Sequence, residues 1–297
     1  MAEGDTLARI AVGLRPHLAG RVVVAARARL PGPQVSRVVG QRIDAVEALG
    51  KNLLIRFENG LEIRTHLGLH GSWHRYRPGE PWRRPASRAV LILEVQNAVA
   101  VCFDAPVVEL FEAKTEPVHP SLGQLGPDLL DPKFDAKEAH RRVRAPERTG
   151  AEIGDVMLDQ RAMAGVGNVY KSEVLFLEKV SPFEKIADID DDTIDRIIET
   201  SRRLLVDNAR PGAAAGRTTT TDPKTGAKLA PSRLWVYDRA GRPCHRCGTI
   251  IQEAPQGAEL PRTTYWCPSC QAKAGETNGK GPKAKGAKAK AAASSKG

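Results

Sequence analysis

No run of apolar residues in this chain approaches the roughly 20 needed to cross a bilayer. The opening residues also lack the basic and apolar regions of a secretory signal, since Met1 is followed by Glu3 and Asp5. These absences predict a cytoplasmic protein with no membrane association. Cysteine is scarce as well. Of the five present, Cys102 stands alone in the apolar stretch 99–103 and reads as an inert core residue. The other four form two Cys-x-x-Cys pairs near the C-terminus, which in a cytoplasmic chain points to a metal rather than to disulfides. The last residues lack aromatics and are rich in Lys, Ala and Gly, so 272–297 is expected to be a disordered basic tail.

The 297 residues are enough for two or three domains with cores of their own. Lys and Arg number 45 against 35 Asp and Glu, a net charge of +10. Residues 271–297 hold seven Lys and one Glu, so about +6 sits in the tail and about +4 in the rest. A modestly basic body with a strongly basic tail suggests a polyanionic partner.

Leu7, Ile10, Ala11, Leu14 and Leu18 recur at helical spacing behind the capping candidates Asp5 and Thr6. Short β-rich runs follow at 22–24, 53–55, 61–63, 89–95 and 98–103, with Asn59-Gly60 and Gln96-Asn97 placed as hairpin turns. Residues up to about 112 thus read as a β-sandwich or barrel with one helix in front. Pro117, Pro120, Gly123, Gly126 and Pro127 mark a linker. Helical patterns then cover 153–160, 169–179 and 192–208, the last with Ile194, Ile197, Ile198, Leu204 and Leu205 on one face. Residues 212–232 read as a flexible Gly/Ala/Thr-rich loop, and 233–270 as a small cysteine-bearing module.

In that module Cys244 and Cys247 are separated by 19 residues from Cys267 and Cys270. This spacing fits a four-thiolate zinc ribbon in which a β-hairpin brings two knuckles together around one structural Zn2+. So small a module needs such a cross-link, because its apolar core is insufficient. Arg262, in the hairpin, is either a solvated rim residue or a guanidinium aimed at a phosphate. Between two helical stretches, Gly165-Val166-Gly167-Asn168 forms a tight turn with Asn168 placed to cap the next helix; backbone N–H groups and the positive helix end there make an anion site.

Ala2 is small enough to allow removal of Met1. The α-amine so exposed has a pKa of about 7.7–8.0 against about 10.4 for lysine, so near neutrality it is several hundred times more often unprotonated. It can attack a sugar C1′ to form a Schiff base, with Glu3 beside it as proton donor and acceptor. Read bare, these residues favour the plainer reading, a chain end followed by a helix-start carboxylate.

The opening Ala2-Glu3-Gly4-Asp5-Thr6, the segment Leu49-Gly50-Lys51-Asn52-Leu53-Leu54, His66-Leu67-Gly68-Leu69, the Gly165–Asn168 turn and the terminal ribbon occur in this order. Together they resemble the formamidopyrimidine-DNA glycosylase/endonuclease VIII family across residues 1–271. The resemblance implies a multidomain α+β protein. It would comprise a catalytic β-sandwich domain with a leading helix (1–125), a helix–two-turns–helix DNA-binding domain (126–232), a zinc finger (233–271) and the tail. It further implies a nucleoid-associated monomer that grips damaged duplex DNA and abasic sites in the cleft between domains. Ala2 would be the Schiff-base nucleophile and Glu3 the acid/base; Lys51 would hold a phosphate beside the lesion and assist catalysis. His66, Asn168 and Arg262 would hold further phosphates, and Leu69 with His70 would fill the gap left by a flipped-out base. Leu69 could equally be a core residue at a strand end.

Oxoguanine-type members carry an arginine-bearing Asp-Pro-Arg-Arg-Phe-Gly-like loop, where this chain reads Asp104-Ala105-Pro106-Val107-Val108-Glu109. Its 217–232 loop is also short for an oxoguanine-capping loop. Both departures favour the endonuclease VIII branch and oxidised pyrimidines, although Ala2 stands where that branch usually has proline. The implied activity is a bifunctional glycosylase and AP lyase. The competing readings are an oxoguanine-preferring glycosylase and a non-catalytic damaged-DNA-binding protein. Glu3 and Lys51 argue against the latter, because binding alone needs neither proton transfer nor a second amine.

Overall fold

The computed structural model describes residues 2–29, 31–210, 216–222, 224–258 and 261–272. Helix α1 (Gly4–Leu18) leads into eight strands: β1 (Val23–Ala28), β2 (Ile43–Leu49), β3 (Asn52–Phe57), β4 (Leu61–His66), β5 (Ser72–Tyr76), β6 (Ala89–Val95), β7 (Ala98–Phe103) and β8 (Val107–Glu112). They form two antiparallel four-stranded sheets, ordered β1-β6-β7-β5 and β2-β3-β4-β8. The inner faces enclose one core with Val23, Ile43, Val46, Leu53, Ile55, Ile63, Leu91, Leu93 and Cys102, closed at one end by Leu7, Leu14 and Leu18 of α1. Burial of these side chains, at about 25 cal/mol per Å² of apolar surface, is what holds the sheets face to face. Strand β7 does not alternate because it is covered on both sides. Ala98, Ala100 and Cys102 face the inner core, while Val99, Val101 and Phe103 pack with Tyr76 and Trp82 on the outer face.

The Asn59-Gly60 and Gln96-Asn97 turns lie where expected, between β3 and β4 and between β6 and β7. Helix α1 starts earlier than its capping candidates implied. Glu3 is the N-cap residue, and Asp5 and Thr6 lie within the first turn. Three strands escaped the sequence reading. In β2 a register shift between Ile43 and Ala45 breaks the alternation; β5 is short; and β8 occupies Val107–Glu109, which had been read as part of a loop. Only Asp104–Pro106 turn there, with Asp104 at φ 53°.

Four helices make the second core: α2 (Ala136–Val143), α3 (Ile153–Leu158), α4 (Asn168–Leu177) and α5 (Asp191–Ala209). Met157, Met163, Tyr170, Val174, Ile194, Ile198 and Leu205 are fully or almost fully buried in it. Helix α2, unanticipated, is announced by Asp135 and Glu138, a capping pair whose Asp135 carboxylate accepts from Glu138 N at 3.0 Å. Only Ala139 and Val143 of its eight residues are buried, too few to register as a periodic stripe. The third core joins Phe176 of α4 to Trp235, Val236, Cys244, Ile251 and Cys267, beneath a hairpin of β9 (Gln252–Gln256) and β10 (Arg262–Trp266). Phe176 and Trp235 stack at 5.4 Å.

The segment read as a flexible loop is anchored where it is described. Asn208 exchanges two hydrogen bonds with Thr218, of 2.8 and 2.9 Å, Thr219 N donates to Arg233 O, and Thr219 and Thr220 are buried. Residues 212–215 and 223 of that expected loop, and 273–297 of the expected disordered tail, lie outside the described residues. No described helix is long and apolar enough to cross a membrane.

Candidate active site

Glu3 is completely buried. Its carboxylate accepts from the backbone N–H of Gly167 at 2.9 Å, Val169 at 2.8 Å and Tyr170 at 3.4 Å. The N-terminus of α4 is therefore an anion site, as its turn suggested, but the anion it holds is the chain's own. A Cβ on Gly167 would lie 2.5 Å from the Glu3 carboxyl carbon, so only glycine lets the carboxylate in. The same junction is tied by Gly4 N donating to Gly165 O at 2.9 Å. Glu3 thus bridges the strand-based core and the helical core.

The residue expected to cap α4 does something else. Gly167 is the N-cap, and Asn168, buried in the first turn, donates through Nδ2 to Thr263 O of β10 at 2.7 Å. Asn168 therefore fixes the finger hairpin, and with it the neighbouring Arg262, to the start of α4. Lys171 strengthens the same lock, donating from a fully buried Nζ to Thr264 Oγ1 at 2.5 Å. Burial depresses its pKa to about 8.

Lys51 stands in the turn between β2 and β3. Burial, together with the charges of Arg262 and Arg217, lowers its pKa to about 8, against the opposing pull of Glu3. Its turn is held by Asp128, which accepts from Gly50 N at 2.7 Å and Leu130 N at 2.9 Å. His66 closes β4. Burial, Lys51 and Arg64 lower its pKa to about 4, and Nδ1 accepts from Gly68 N at 3.3 Å. The imidazole is therefore neutral at physiological pH, with its proton on Nε2 as a donor. Leu69 and His70 occupy the tight turn that follows. Leu69 is 50 % exposed, which removes the core alternative for it. His70 O accepts from Arg84, whose guanidinium also grips Asp104 at 2.8 Å.

Ala2, Lys51, His66, Leu69, Asn168 and Arg262, drawn from all three cores, line one cleft of about 210 Å³, together with Gly68 and Leu158. Ala2 N lies 3.4 Å from Gly68 O as a donor. Six of the eight non-cysteine candidates thus meet around one space. Glu3 is tucked into the end of α4 beside it, and His70 is exposed on the adjoining turn.

The sulfurs of Cys244, Cys247, Cys267 and Cys270 all lie within 4.8 Å of one another. Metal–sulfur bonds of about 2.3 Å in a tetrahedron place sulfurs about 3.8 Å apart, so the cluster fits one ion with closed thiolate coordination. Cys102 is buried in the sandwich, and its thiol pKa is driven upward by burial, consistent with an inert core residue.

Several polar contacts around the site have no signal in the sequence. Arg217 binds Asp5 and reaches towards Glu3. Glu173, wholly buried, accepts from Trp235 N, Val236 N and Tyr237 N at 2.7–2.9 Å and from the Thr219 hydroxyl, clasping the finger to α4. Asp128 holds the turn of Lys51. These are single polar residues whose partners lie far away along the chain, so no local spacing marks them.

Residues 1–106 match the family model of the formamidopyrimidine-DNA glycosylase N-terminal domain, and 125–220 that of the formamidopyrimidine-DNA glycosylase H2TH domain. The chain is 39% identical over 276 residues to the probable endonuclease 8 2 of Streptomyces coelicolor, covering 92% of this chain and 94% of that one. It is 36% identical over 272 residues to the DNA-(apurinic or apyrimidinic site) lyase Nei2 of Mycolicibacterium smegmatis, covering 91% and 99%. Among solved structures, that of a Lactococcus lactis FPG mutant with a Fapy-dG containing DNA superposes with a TM-score of 0.74 at 22% identity, covering 91% of this chain and all of that one. At that identity the likeness speaks to the fold.

Proposed function

The chain belongs to the formamidopyrimidine-DNA glycosylase/endonuclease VIII family, in its endonuclease VIII-like branch, and on that premise we propose that it excises oxidised bases from DNA and cleaves the abasic sites left behind. It is a bifunctional DNA glycosylase and AP lyase of base-excision repair, and its partner is damaged DNA. Oxidised pyrimidines are the substrates we assign, because the turn at Asp104–Pro106 carries no arginine and β8 follows it directly. Units at 1–125, 126–232 and 233–271 are the division we adopt.

The observation carrying the mechanism is the cleft in which Ala2, Lys51, His66, Leu69, Asn168 and Arg262 meet, next in the chain to Glu3, whose carboxylate is held at the start of the helix that carries Asn168. Once Met1 is removed, the Ala2 amine attacks C1′ of the flipped-out nucleotide. The glycosidic bond breaks, and the base leaves with the bonding pair and takes up a proton from water. Glu3 enters as a carboxylate, takes the proton that the attacking amine sheds, and delivers it to the ring oxygen as the sugar opens to a protonated Schiff base. Loss of a C2′ proton then expels the 3′ phosphate by β-elimination. Lys51 and Arg262 hold phosphates as cations, His66 through its neutral Nε2–H and Asn168 by hydrogen bonding. Leu69, exposed at the tip of its turn and followed by His70, enters the gap in the base stack.

Zinc is the ion we assign to Cys244, Cys247, Cys267 and Cys270, as a structural cross-link that keeps Arg262 on the cleft. The test is borohydride trapping on duplexes bearing thymine glycol, 8-oxoguanine or an abasic site, followed by mass spectrometry of the adduct. The sugar is expected on the Ala2 amine, with thymine glycol excised faster than 8-oxoguanine. An adduct on Lys51 would overturn the nucleophile, and the absence of any adduct would favour a binding-only protein.

A further inference from the structure

Glu3 and Asp5 are both completely buried, two residues apart at the start of α1. Two carboxylates so placed, out of contact with water, repel one another, and one of them takes up a proton unless a cation separates them. The cation is Arg217. It binds Asp5 with a two-toothed grip, Nη2 to Oδ1 at 2.5 Å and Nε to Oδ2 at 3.3 Å, and touches Thr6 Oγ1 at 3.3 Å. Its other terminal nitrogen, Nη1, lies 3.8 Å from Glu3 Oε1. The guanidinium rests 4.7 Å above the ring of Tyr170, one of the residues whose N–H caps Glu3. The side chain is 11% exposed, so this is not a screened surface pair. Its segment is fastened by Asn208 through Thr218 and by Arg233 through Thr219.

We infer that Arg217 is a positioning residue for base excision, holding the Glu3 carboxylate in its working orientation by standing between Glu3 and Asp5. This rests on the reading of Glu3 as the acid/base. Other charges facing Glu3 are Lys51 from the β2–β3 turn and Lys171 from α4, with Tyr170 and Tyr237 as neutral titratable neighbours. Arg9 answers Asp5 alone, at 3.2 Å. Among the described residues, no other cation lies within 4 Å of the Glu3 carboxylate. Replacing Arg217 by a neutral group therefore leaves Glu3 with a like charge at close quarters. Neutralising Asp5 leaves it with an unopposed positive one.

The experiment compares single-turnover base excision with single-turnover cleavage of a preformed abasic site across pH, using the full chain. Both reactions need the Ala2 amine, so their ratio isolates the part that depends on Glu3. Arg217→Gln should move the Glu3-dependent limb of that ratio upward by about one pH unit, and Asp5→Asn should move it downward. Arg217→Lys should leave it near wild type. Binding to a duplex with a tetrahydrofuran abasic site should change less than about threefold in all three, since Arg217 lies outside the phosphate-holding set. A residue with a merely structural role would not move the limb in opposite directions. An unshifted limb in Arg217→Gln, or an equal shift in Arg217→Lys, would overturn the inference. Should the arginine variants unfold, Asp5→Asn decides by itself, and no downward shift counts against it. Glu3→Gln is the control for the underlying reading. If Glu3→Gln excises normally, the acid/base assignment fails; if it is inactive while the limb stays fixed, only the role of Arg217 fails.

Discussion

On the proposed mechanism, Ala2 offers a primary amine, once Met1 is removed, where the branch usually presents proline. A secondary amine must form a permanently charged iminium with C1′, whereas a primary amine gives an imine that draws electrons only while protonated. Strand cleavage should therefore lag behind base removal and stop more often after β-elimination. Ala2→Pro should speed cleavage and shift products toward β,δ-elimination, read by resolving the two product ends on a gel; unchanged products would show that the amine class is not limiting. Lys51 adds a pH dependence. Its folded pKa of about 8 lies below the ordinary lysine value, so its charge is present below pH 8 and is lost above it. For folding the sign is opposite. The unfolded chain holds this proton up to about pH 10.4, so the contribution of Lys51 to stability improves as pH rises from 8 to that value. DNA affinity should fall between pH 7 and 9 in the wild type by several-fold more than in Lys51→Arg. Parallel titrations of the two would remove Lys51 from the phosphate grip. Gly167→Ala tests the junction itself. Its Cβ would meet the Glu3 carboxyl, and base excision should drop by at least about 100-fold. Normal excision by a folded Gly167→Ala protein would mean that Glu3 works from another position.

At the scale of elements, α4 is the hub. Its N-terminus binds Glu3, Asn168 and Lys171 lock β10, Glu173 clasps residues 235–237, and Phe176 stacks on Trp235. Much of this helix was visible in advance, because Val169, Tyr170, Val174 and Leu175 repeat at helical spacing. Its polar contacts were not, because Lys171, Ser172 and Glu173 look like a solvated face and are in fact buried between domains. The finger shows the converse case. Its two Cys-x-x-Cys pairs predict a four-thiolate cluster from spacing alone, and the sulfurs converge as that spacing required. Cys247→Ser should lower zinc content below one per chain, measured by atomic absorption. It should also weaken DNA binding by on the order of tenfold or more, as Arg262 loses its support. A full zinc complement in wild-type-like Cys247→Ser protein would remove Cys247 from the site.

At the scale of the whole molecule, the cleft exists only because three cores abut, and about +6 of the net charge of +10 falls in residues 271–297. Removing 272–297 should flatten the salt dependence of binding, whose logarithmic slope is about −0.9 per phosphate neutralised, and lower nonspecific affinity. Cleavage of saturated enzyme–DNA complex should stay near wild type, and inactivity at saturation would place the tail in the active site. Local pattern determined what local physics controls: the leading helix, the hairpin turns at 59–60 and 96–97, the long helix ending near 209, and the four cysteines. Motif order also pointed to the cleft residues. Strand β2 with its register shift, the two-sided burial of β7, the short helix α2 and the anchoring of 216–222 depended on neighbours distant in sequence. The same holds for the chemistry. That Ala2, Lys51 and Arg262 share one cleft, that His66 is neutral, and that the end of α4 holds Glu3 rather than a ligand were decided only by tertiary structure. Desolvation and long-range charge act through space, between residues as far apart as Glu3 and Arg217, and sequence spacing carries no record of them.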